Sequence, residues 1–308
     1  MILLHGLETD TPLEAVYGAL KKLGQPVMFL DQSKIAEIEI DFTVGSTIEG
    51  WIKLDHQTLD LRSVTSAYLR PYDSRQLPDV ERSGQGSSLW NHALLLEDVL
   101  FSWAELTQAL VINRPISMAS NNSKPFQSIK IRSSGFDIPD TLITTDPQAV
   151  LEFWKMHGTI IYKSISGIRS IVSRFTQDHL DRIENIKWCP TQFQEYILGD
   201  DYRIHVVDDE IFACQIISKA DDYRYAARQN HTVTIQPYTL PDDVSQKCKK
   251  LVKSLDLVVA GVDLRQTPNG KWYCFEVNPS PGFTYYQEEA GQPIDQAIAN
   301  LLMRSSSR

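Results

Sequence analysis

One segment constrains the fold of this chain more than any other. Residues 258–282 read VVAGVDLRQTPNGKWYCFEVNPSPG, with one apolar run on each side of Asn269-Gly270. An Asn-Gly dipeptide between two such runs is the strongest short-range signal for a hairpin with a two-residue turn. The segment therefore predicts two antiparallel strands near the end of the printed sequence.

The register of this hairpin brings acidic residues together. With a turn at 269–270, Pro268 pairs with Lys271, and counting outward places Asp263 opposite Glu276. Cross-strand Cβ atoms lie roughly 4.5–5.5 Å apart, so like charges there are destabilising, and an ionised carboxylate in an apolar strand needs a partner. Asn278 points to the same face as Glu276. Three hard oxygen ligands on one face predict a magnesium site; the alternative is an outward face on which two acids repel each other mildly.

The first part of the chain predicts an α/β lobe. The apolar strand MILL is followed by a helix with a capping box from Thr11 to Glu14, which Gly24 ends, and then by a second strand, PVMFL. Residues 73–88 are rich in Ser, Gly, Asp and Arg and predict an exposed loop. A long helix is expected over about Leu89–Leu110.

Asn113-Arg114-Pro115 breaks that helix and marks the first expected boundary between lobes. Beyond it the pattern predicts short helices among many strands, including the buried strand TIIYK and the strand TQFQEYI. Asp146 and Gly158 mark the two ends of one of these helices. The expected domains are 1–114, 115–190 and 191–308.

Composition excludes several classes of protein. The 308 residues carry a net charge of −9, which argues against a nucleic-acid surface, and no apolar run approaches the length of a membrane span. The first residues, MILLHGLETD, lack the basic region and the long apolar stretch of a signal peptide, so none is expected there. Four cysteines, at positions 189, 214, 248 and 274, form no CxxC pair and are expected as small buried residues in a reducing compartment. We therefore expect a cytoplasmic protein without a nucleic-acid or membrane partner. The sequence leaves open whether the protein forms a homo-oligomer.

Several polar residues in the middle of the chain have ordinary explanations when taken singly. Lys124 stands just before a helix and Lys163 ends the strand TIIYK, so each fits a solvated lysine as well as a phosphate ligand. Residues 194–197, QEYI, fit either a mixed strand or a connecting segment whose backbone reads an adenine edge. The fork of Arg203 suits a phosphate or carboxylate, but a salt bridge to the two aspartates just before it is equally ordinary.

The order of these features resembles the ATP-grasp superfamily. A lysine, a strand-end lysine, Gln-Glu-Tyr-Ile, Asp-x-Arg and then Asp…Glu-x-Asn follow one another between about Asn113 and Gly282. The run from INRP to the IPDT strand is similar to the branch that holds ribosomal-protein glutamate ligases and graspetide peptide-cyclising ligases. The resemblance implies a mixed α/β and α+β fold, in which an N-terminal α/β lobe precedes two lobes that clamp ATP.

The resemblance also implies a role for each residue. Lys124 and Lys163 would hold the ATP phosphates and the adenine side of the cleft, Arg203 would meet phosphates or an acyl phosphate, and Asp201 would approach the ribose. The hinge that reads adenine would consist of Gln194, Glu195, Tyr196 and Ile197. The magnesium ligands would be Asp263, Glu276 and Asn278, the same trio that the hairpin predicts independently.

One segment departs from the family pattern. Many ATP-grasp ligases follow the second lysine with a glycine-rich phosphate loop, but SISGIRSIVSR has a single glycine, Gly167. Arg169 and Ser170 would cover the phosphates instead. Arg224, in ISKADDYRYAAR, stands where family members place a basic contact to substrate or phosphate and is expected to act with Arg203; the alternative is a surface arginine.

The implied activity is a magnesium-dependent, ATP-using ligase that joins a carboxylate to an amine or hydroxyl through an acyl phosphate. A peptide or protein substrate is expected. A small-metabolite ligase, an ATP-grasp kinase and a nucleotide-binding regulator without turnover are the alternatives, and the intact metal trio counts against the last. Arg70, in YLRP, fits a contact to a carboxylate or peptide as well as a structural ion pair.

Overall fold

The computed structural model describes residues 1–45, 48–165, 172–218 and 232–304. Within these ranges the chain forms four β-sheets with helices packed against them. The first lobe holds a parallel sheet of order β2-β1-β6-β7 and a small antiparallel sheet, β3-β4-β5. Its elements are β1 (Ile2–Gly6), α1 (Thr11–Lys22), β2 (Val27–Asp31), β3 (Glu39–Val44), β4 (Ile48–Leu54), β5 (Gln57–Asp60), β6 (Ser66–Arg70), α2 (Pro78–Ser83), α3 (Ser88–Leu106) and β7 (Leu110–Ile112).

Three details of the first lobe correct the sequence expectations. Helix α1 is capped by Asp10, whose Oδ1 accepts from the Leu13 N–H at 2.9 Å, so the capping box at Thr11 is wrong. The expected loop at 73–88 contains α2, because Val80 has an apolar core to enter. Helix α3 ends at Leu106 rather than at residue 110, because the residues that follow it form the edge strand of the parallel sheet.

The middle of the chain forms an antiparallel sheet of order β10-β9-β11-β8. Its helix α6 follows the Asp146 cap and ends before Gly158, as predicted. Strand β11 belongs to this sheet, so the sheet extends past the boundary expected at residue 190. The elements are α4 (Pro115–Met118), α5 (Lys124–Ser133), β8 (Thr141–Thr144), α6 (Pro147–His157), β9 (Ile160–Ser164), β10 (Ser173–Arg174), a 3-10 segment (Gln177–Trp188) and β11 (Thr191–Glu195).

The last part of the chain forms a five-stranded antiparallel sheet of order β14-β13-β12-β15-β16. Helix α9 packs against both this sheet and the first lobe. The hydroxyl of Ser66, in the first lobe, donates to the carbonyl of Leu302 at 2.9 Å. The elements are β12 (Asp200–Val207), β13 (Glu210–Ser218), β14 (Val233–Tyr238), α7 (Asp242–Ser254), β15 (Val259–Gln266), β16 (Trp272–Asn278), α8 (Thr284–Ala290) and α9 (Ile294–Arg304).

The β15–β16 hairpin differs from the prediction at its turn and agrees with it at the acids. Thr267 pairs with Lys271 (N···O 2.9 Å) around a three-residue loop, so the pairing of Pro268 with Lys271 is wrong. The left-handed backbone of Gly270 (φ 82°) suits such a loop, a turn followed by a residue with positive φ. A β-bulge at Phe275 then shifts the register by one residue, and Asp263 lies opposite Glu276 as predicted.

The cysteine expectation holds for three of the four side chains. Those at positions 214, 248 and 274 are buried, and burial raises the pKa of the Cys248 thiol to about 12. Cys189 is exposed, contrary to the expectation, because it follows the surface segment that ends at Trp188. Within the described ranges no helix combines the length and the apolar character needed to cross a membrane.

Candidate active site on the β15–β16 hairpin

The acidic face of the hairpin is flanked by two cations. The carboxylates of Asp263 and Glu276 are half-buried, with 27% and 25% of each side chain exposed. The Arg203 guanidinium donates to Asp263 Oδ1 at 2.6 Å, and Lys124 Nζ lies 3.8 Å from Glu276 Oε1. Asn278, opposite Gly261, lies two residues from Glu276 on the same side of the strand. The structure thus places two acids, one amide and two basic side chains in one small region.

Arg203 reaches this face because glycine stands beside it. Arg203 is buried on β12, where it pairs across the sheet with Asp263 rather than with the aspartates that precede it in sequence. A Cβ added to Gly261 would lie 2.3 Å from Nη2 of Arg203 and 2.9 Å from Cβ of Pro281, so a larger residue would displace the guanidinium. Sequence reasoning missed Gly261, although an isolated glycine inside an apolar strand is a recognised sign of close approach.

A buried histidine supports the same arginine. His205 is fully buried two residues along β12, and its Nε2 lies 3.4 Å from both Nε of Arg203 and the carbonyl oxygen of Gly282. Burial, and after it the charge of Arg203, lowers the pKa of His205 well below its usual value. A neutral imidazole can accept from the guanidinium, so His205 stays compatible with the cation beside it. The prediction from sequence did not include this residue.

The hinge segment predicted at 194–197 is attached to the middle sheet on both sides. The N–H of Glu195 donates to Asp140 O and that of Tyr196 to Thr159 O, each at 3.0 Å, which continues the ladders of β8 and β9. The side chain of Gln194 is buried, and its Nε2 donates to Oγ1 of Thr141, the first residue of β8, at 2.9 Å. Because these two backbone donors are engaged within the fold, an adenine edge would have to use other backbone groups of the segment.

Arg265 connects this segment to the hairpin sheet. It donates to the carbonyl of Ile197 at 2.8 Å. It also forms a bidentate ion pair with Asp201, from Nε to Oδ1 at 2.7 Å and from Nη2 to Oδ2 at 2.9 Å. The carboxylate expected near the ribose is therefore held by an arginine from β15, and its contact with ribose stays a prediction. Arg265 was not singled out from the sequence, because its partners lie more than sixty residues away.

Next to the hinge, three titratable side chains from separate elements converge. One ring nitrogen of His157 lies 4.0 Å from Asp140 Oδ2 and the other lies 3.7 Å from Glu195 Oε2. These distances exceed ordinary hydrogen bonds. The side chain of Glu195 thus faces partners from the middle sheet, where its Oε1 also accepts from the N–H of Asp140 at 3.0 Å.

The remaining predicted residues lie elsewhere. Lys163 is on β9, opposite Gln192 of the neighbouring strand, in a different sheet from the acidic face. Arg70 forms an ion pair with Asp10 at 2.7 Å and also donates to Ser280 Oγ and Pro281 O, both at 3.0 Å, so the structural reading of this arginine is confirmed. The residues predicted to cover phosphates or to contact substrate, Arg169, Ser170 and Arg224, lie outside the described ranges, as does the single glycine of that segment, Gly167.

The donor chemistry of the hairpin face fits magnesium. Asp263, Glu276 and Asn278 offer oxygen atoms only, the ligand type that Mg²⁺ takes while it keeps positions for water and phosphate. Arg203 and Lys124 each lie beside one carboxylate, so the charges of the protein alone nearly balance. A doubly charged cation would therefore leave an electropositive face that favours a polyphosphate.

A family comparison decides what kind of protein carries this face. The RimK-like ATP-grasp domain matches residues 122–302, which include every residue of the acidic face and both flanking cations. The chain belongs to the RimK-like ATP-grasp family. The expected fold is thereby confirmed, and ATP and magnesium are the cofactors that ATP-grasp enzymes use.

Two relatives of this ATP-grasp protein are named as probable glutamate ligases. A probable alpha-L-glutamate ligase of Mannheimia succiniciproducens is 27% identical over 201 residues, 62% of this chain and 66% of that protein. One from Haemophilus influenzae is 29% identical over 146 residues, 47% of this chain and 46% of that protein. The matched regions thus span between about half and two thirds of these relatives.

Solved structures match along nearly the whole chain. The ATP-grasp ligase PsnB, complexed with a phosphomimetic variant of its minimal precursor, Mg and ADP, has a TM-score of 0.83, is 25% identical, and the match covers 99% of this chain and 98% of that one. The macrocyclase MdnC of Microcystis aeruginosa, bound with precursor peptide MdnA, has a TM-score of 0.81 at 26% identity and 98% coverage of both chains. The relatives named as probable glutamate ligases and the neighbour named as an ATP-grasp ligase thus belong to one enzyme class by name.

Proposed function

We propose that this ATP-grasp protein is an ADP-forming ligase that activates a carboxylate of a peptide and joins it to an amine or hydroxyl. The observation that carries the proposal is the face formed by Asp263, Glu276 and Asn278, with Arg203 at 2.6 Å from one acid and Lys124 at 3.8 Å from the other. Oxygen ligands between two cations suit nucleotide phosphates together with magnesium.

The proposed reaction has two steps. A carboxylate oxygen of the substrate bonds to the γ-phosphorus of ATP, the bond to the β-phosphate oxygen breaks, and ADP leaves. The nucleophile then attacks the carbonyl carbon of the acyl phosphate, inorganic phosphate leaves, and the proton of the nucleophile passes to solvent. Magnesium, when bound, would neutralise charge on the phosphate oxygens.

The chain itself contributes position and charge. Arg203 is buried and held by Asp263 and His205, so its guanidinium is oriented before any substrate arrives. A donor that is already oriented stabilises developing negative charge without reorganisation. Lys124, at the first turn of α5, supplies a second cation on the other side of the acids. These residues lower the barrier mainly by orienting reactants.

A peptide substrate is favoured by the extent of the likeness. The neighbours solved with precursor peptides match this chain over 98–99% of its length, the first lobe included, with TM-scores of 0.83 and 0.81. A first lobe shared with peptide-binding enzymes supports a shared class of substrate. A cytoplasmic location, favoured by the unpaired cysteines, is part of this proposal.

An acyl-phosphate trap tests the ligase chemistry. The purified chain is incubated with Mg-ATP, hydroxylamine and either free glutamate or an acidic peptide. We expect a hydroxamate and an equal amount of ADP with the peptide. Glu276→Gln should lower the rate on the order of a hundredfold, because it removes a ligand from the site of charge development. Glu210→Gln, an acid on β13 that pairs with Arg304, is the matched control and should retain the wild-type rate.

The products distinguish the alternatives. A peptide that loses one water indicates an internal amide or ester, whereas a peptide that gains a glutamyl residue indicates a glutamate ligase. ADP without hydroxamate, together with a phosphorylated hydroxyl, would indicate a kinase and contradict the proposal. The absence of any ADP with all of these substrates would favour a regulator.

A further inference from the structure

Strand β16 carries two of the three oxygen ligands and lies at the edge of its sheet. An edge strand exposes backbone groups on one side, and buried ones need partners. Here the partner is a side chain: Nε2 of Gln127 donates to Val277 O at 2.7 Å, and Val277 N–H donates to Gln127 Oε1 at 3.1 Å. Gln127 is 3% exposed, so one amide replaces a neighbouring strand for the residue between Glu276 and Asn278.

The same glutamine sets the distance between a cation and an acid. Gln127 lies one turn after Lys124 on helix α5, and residues three apart occupy one face of a helix. The two hydrogen bonds to Val277 therefore fix the helix against the strand at the point where Lys124 Nζ lies 3.8 Å from Glu276. A slide of the helix would change that distance directly.

A second buried amide holds the other side of Asn278. Nδ2 of Asn113 donates to Pro279 O and to Val259 O, both at 2.6 Å, and its Oδ1 accepts from Val258 N–H at 2.8 Å. The backbone is thus held one residue before and one residue after Asn278, by side chains from two different segments. Groups that orient metal ligands contribute strongly to affinity even without touching the metal.

We propose that Gln127, together with Asn113, is a positioning residue for the proposed magnesium ligands Glu276 and Asn278. This inference rests on the proposed function, because it takes the hairpin face as the metal site. Gln127 would act through the backbone of Val277 and would contact neither metal nor nucleotide. Its loss would loosen the ligands relative to one another and to Lys124.

The first lobe offers a matched control. Gln32 makes the same pair of hydrogen bonds to Tyr72, donating to its carbonyl at 2.7 Å and accepting from its N–H at 2.8 Å, and is fully buried. If the amide of Gln127 served stability alone, substituting Gln127 and substituting Gln32 should have the same effect on magnesium dependence. A difference between the two in magnesium dependence isolates the positioning role.

The experiment compares Gln127→Met and Gln127→Glu with Gln32→Met and Gln32→Glu. Thermal unfolding is measured at fixed ADP over a magnesium titration, and exchange of the Val277 amide hydrogen is followed in parallel. All four variants should unfold at lower temperature. The magnesium midpoint should rise about tenfold in the Gln127 variants only, and Val277 should exchange faster in them. If the methionine variants fold poorly, the comparison uses the glutamate variants, which preserve the shape of the side chain.

Two failures are distinguishable. A wild-type protein without a magnesium-dependent shift would refute the metal site and with it this inference. A normal wild-type response, with unchanged midpoints in the Gln127 variants, would refute the positioning role and leave the proposed function intact.

Discussion

At the scale of single residues, the position of Arg203 depends on the absence of a side chain at Gly261. Gly261→Ala would place a Cβ 2.3 Å from Nη2, so the guanidinium has to move. We expect kcat for hydroxamate formation to fall on the order of tenfold to a hundredfold and stability to fall by about 1–3 kcal/mol. Steady-state kinetics and thermal unfolding check this.

The control is a glycine with open space around it. At Gly18, within α1, an added Cβ would meet no atom within 4 Å apart from its chain neighbours and the backbone of its own helix. Gly18→Ala should leave kcat unchanged and stabilise the helix by about 0.5–1 kcal/mol. A Gly261→Ala enzyme with wild-type kcat would show that the site tolerates a displaced Arg203.

The pH dependence of stability also originates in single residues. His5, buried in β1 with Nδ1 3.0 Å from Leu30 O, has its pKa lowered to about 4 by burial. The unfolded chain takes up this proton near pH 6.5 and the folded chain only near pH 4, so stability falls as the pH drops between these values. At pH 5 the loss is about 2 kcal/mol, and the lowered pKa of His205 acts in the same direction.

Urea unfolding at pH 7.5 and pH 5 checks this effect. His5→Gln, which retains a donor for Leu30 O, should reduce the difference in unfolding free energy between the two pH values by about 2 kcal/mol. An unchanged difference would assign the acid sensitivity to other groups.

At the scale of elements, the sequence predicts what local chemistry determines. Helix α6 has the predicted ends because Asp146 and Gly158 act within a few residues of them. Helix α1 begins one residue earlier than predicted because Asp10 rather than Thr11 caps it, and the carboxylate of Asp10 is also held by Arg70 from β6. No local pattern contains that second contact.

In the acidic hairpin, the pairing of the two acids was predicted correctly although the loop and the strand register both differ from the prediction. The three-residue loop moves the register by one residue, and the bulge at Phe275 moves it back, so Asp263 still faces Glu276. The Phe275 ring lies 5.3 Å from the Arg265 guanidinium, a contact between strands that the turn residues alone do not encode. The position of Asp263, Glu276 and Asn278 on one face was predictable from spacing. Gln127 and Asn113, which hold the backbone on either side of Asn278, lie 150 and 166 residues away from their partners.

At the scale of the whole molecule, the described residues of the first lobe and of the hairpin sheet each form an apolar core, and a further core lies between them. One core joins the first lobe to the hairpin sheet, because Leu4 and Leu13 pack in the same cluster as Val259 and Ile298. The middle sheet has a cluster of its own, around Ile160. Such pairings depend on contacts between distant segments, which periodicity does not report.

This arrangement predicts two cooperative units. Ile160 and Ile298 are both fully buried, and truncation to alanine should cost each unit about 2–5 kcal/mol. Ile160→Ala should speed amide hydrogen exchange in β8–β11 alone, because that sheet packs around its own cluster. Ile298→Ala should speed exchange in the first lobe and in the hairpin sheet together, since α9 belongs to the core that they share. Equal acceleration throughout the chain by both variants would contradict separate units.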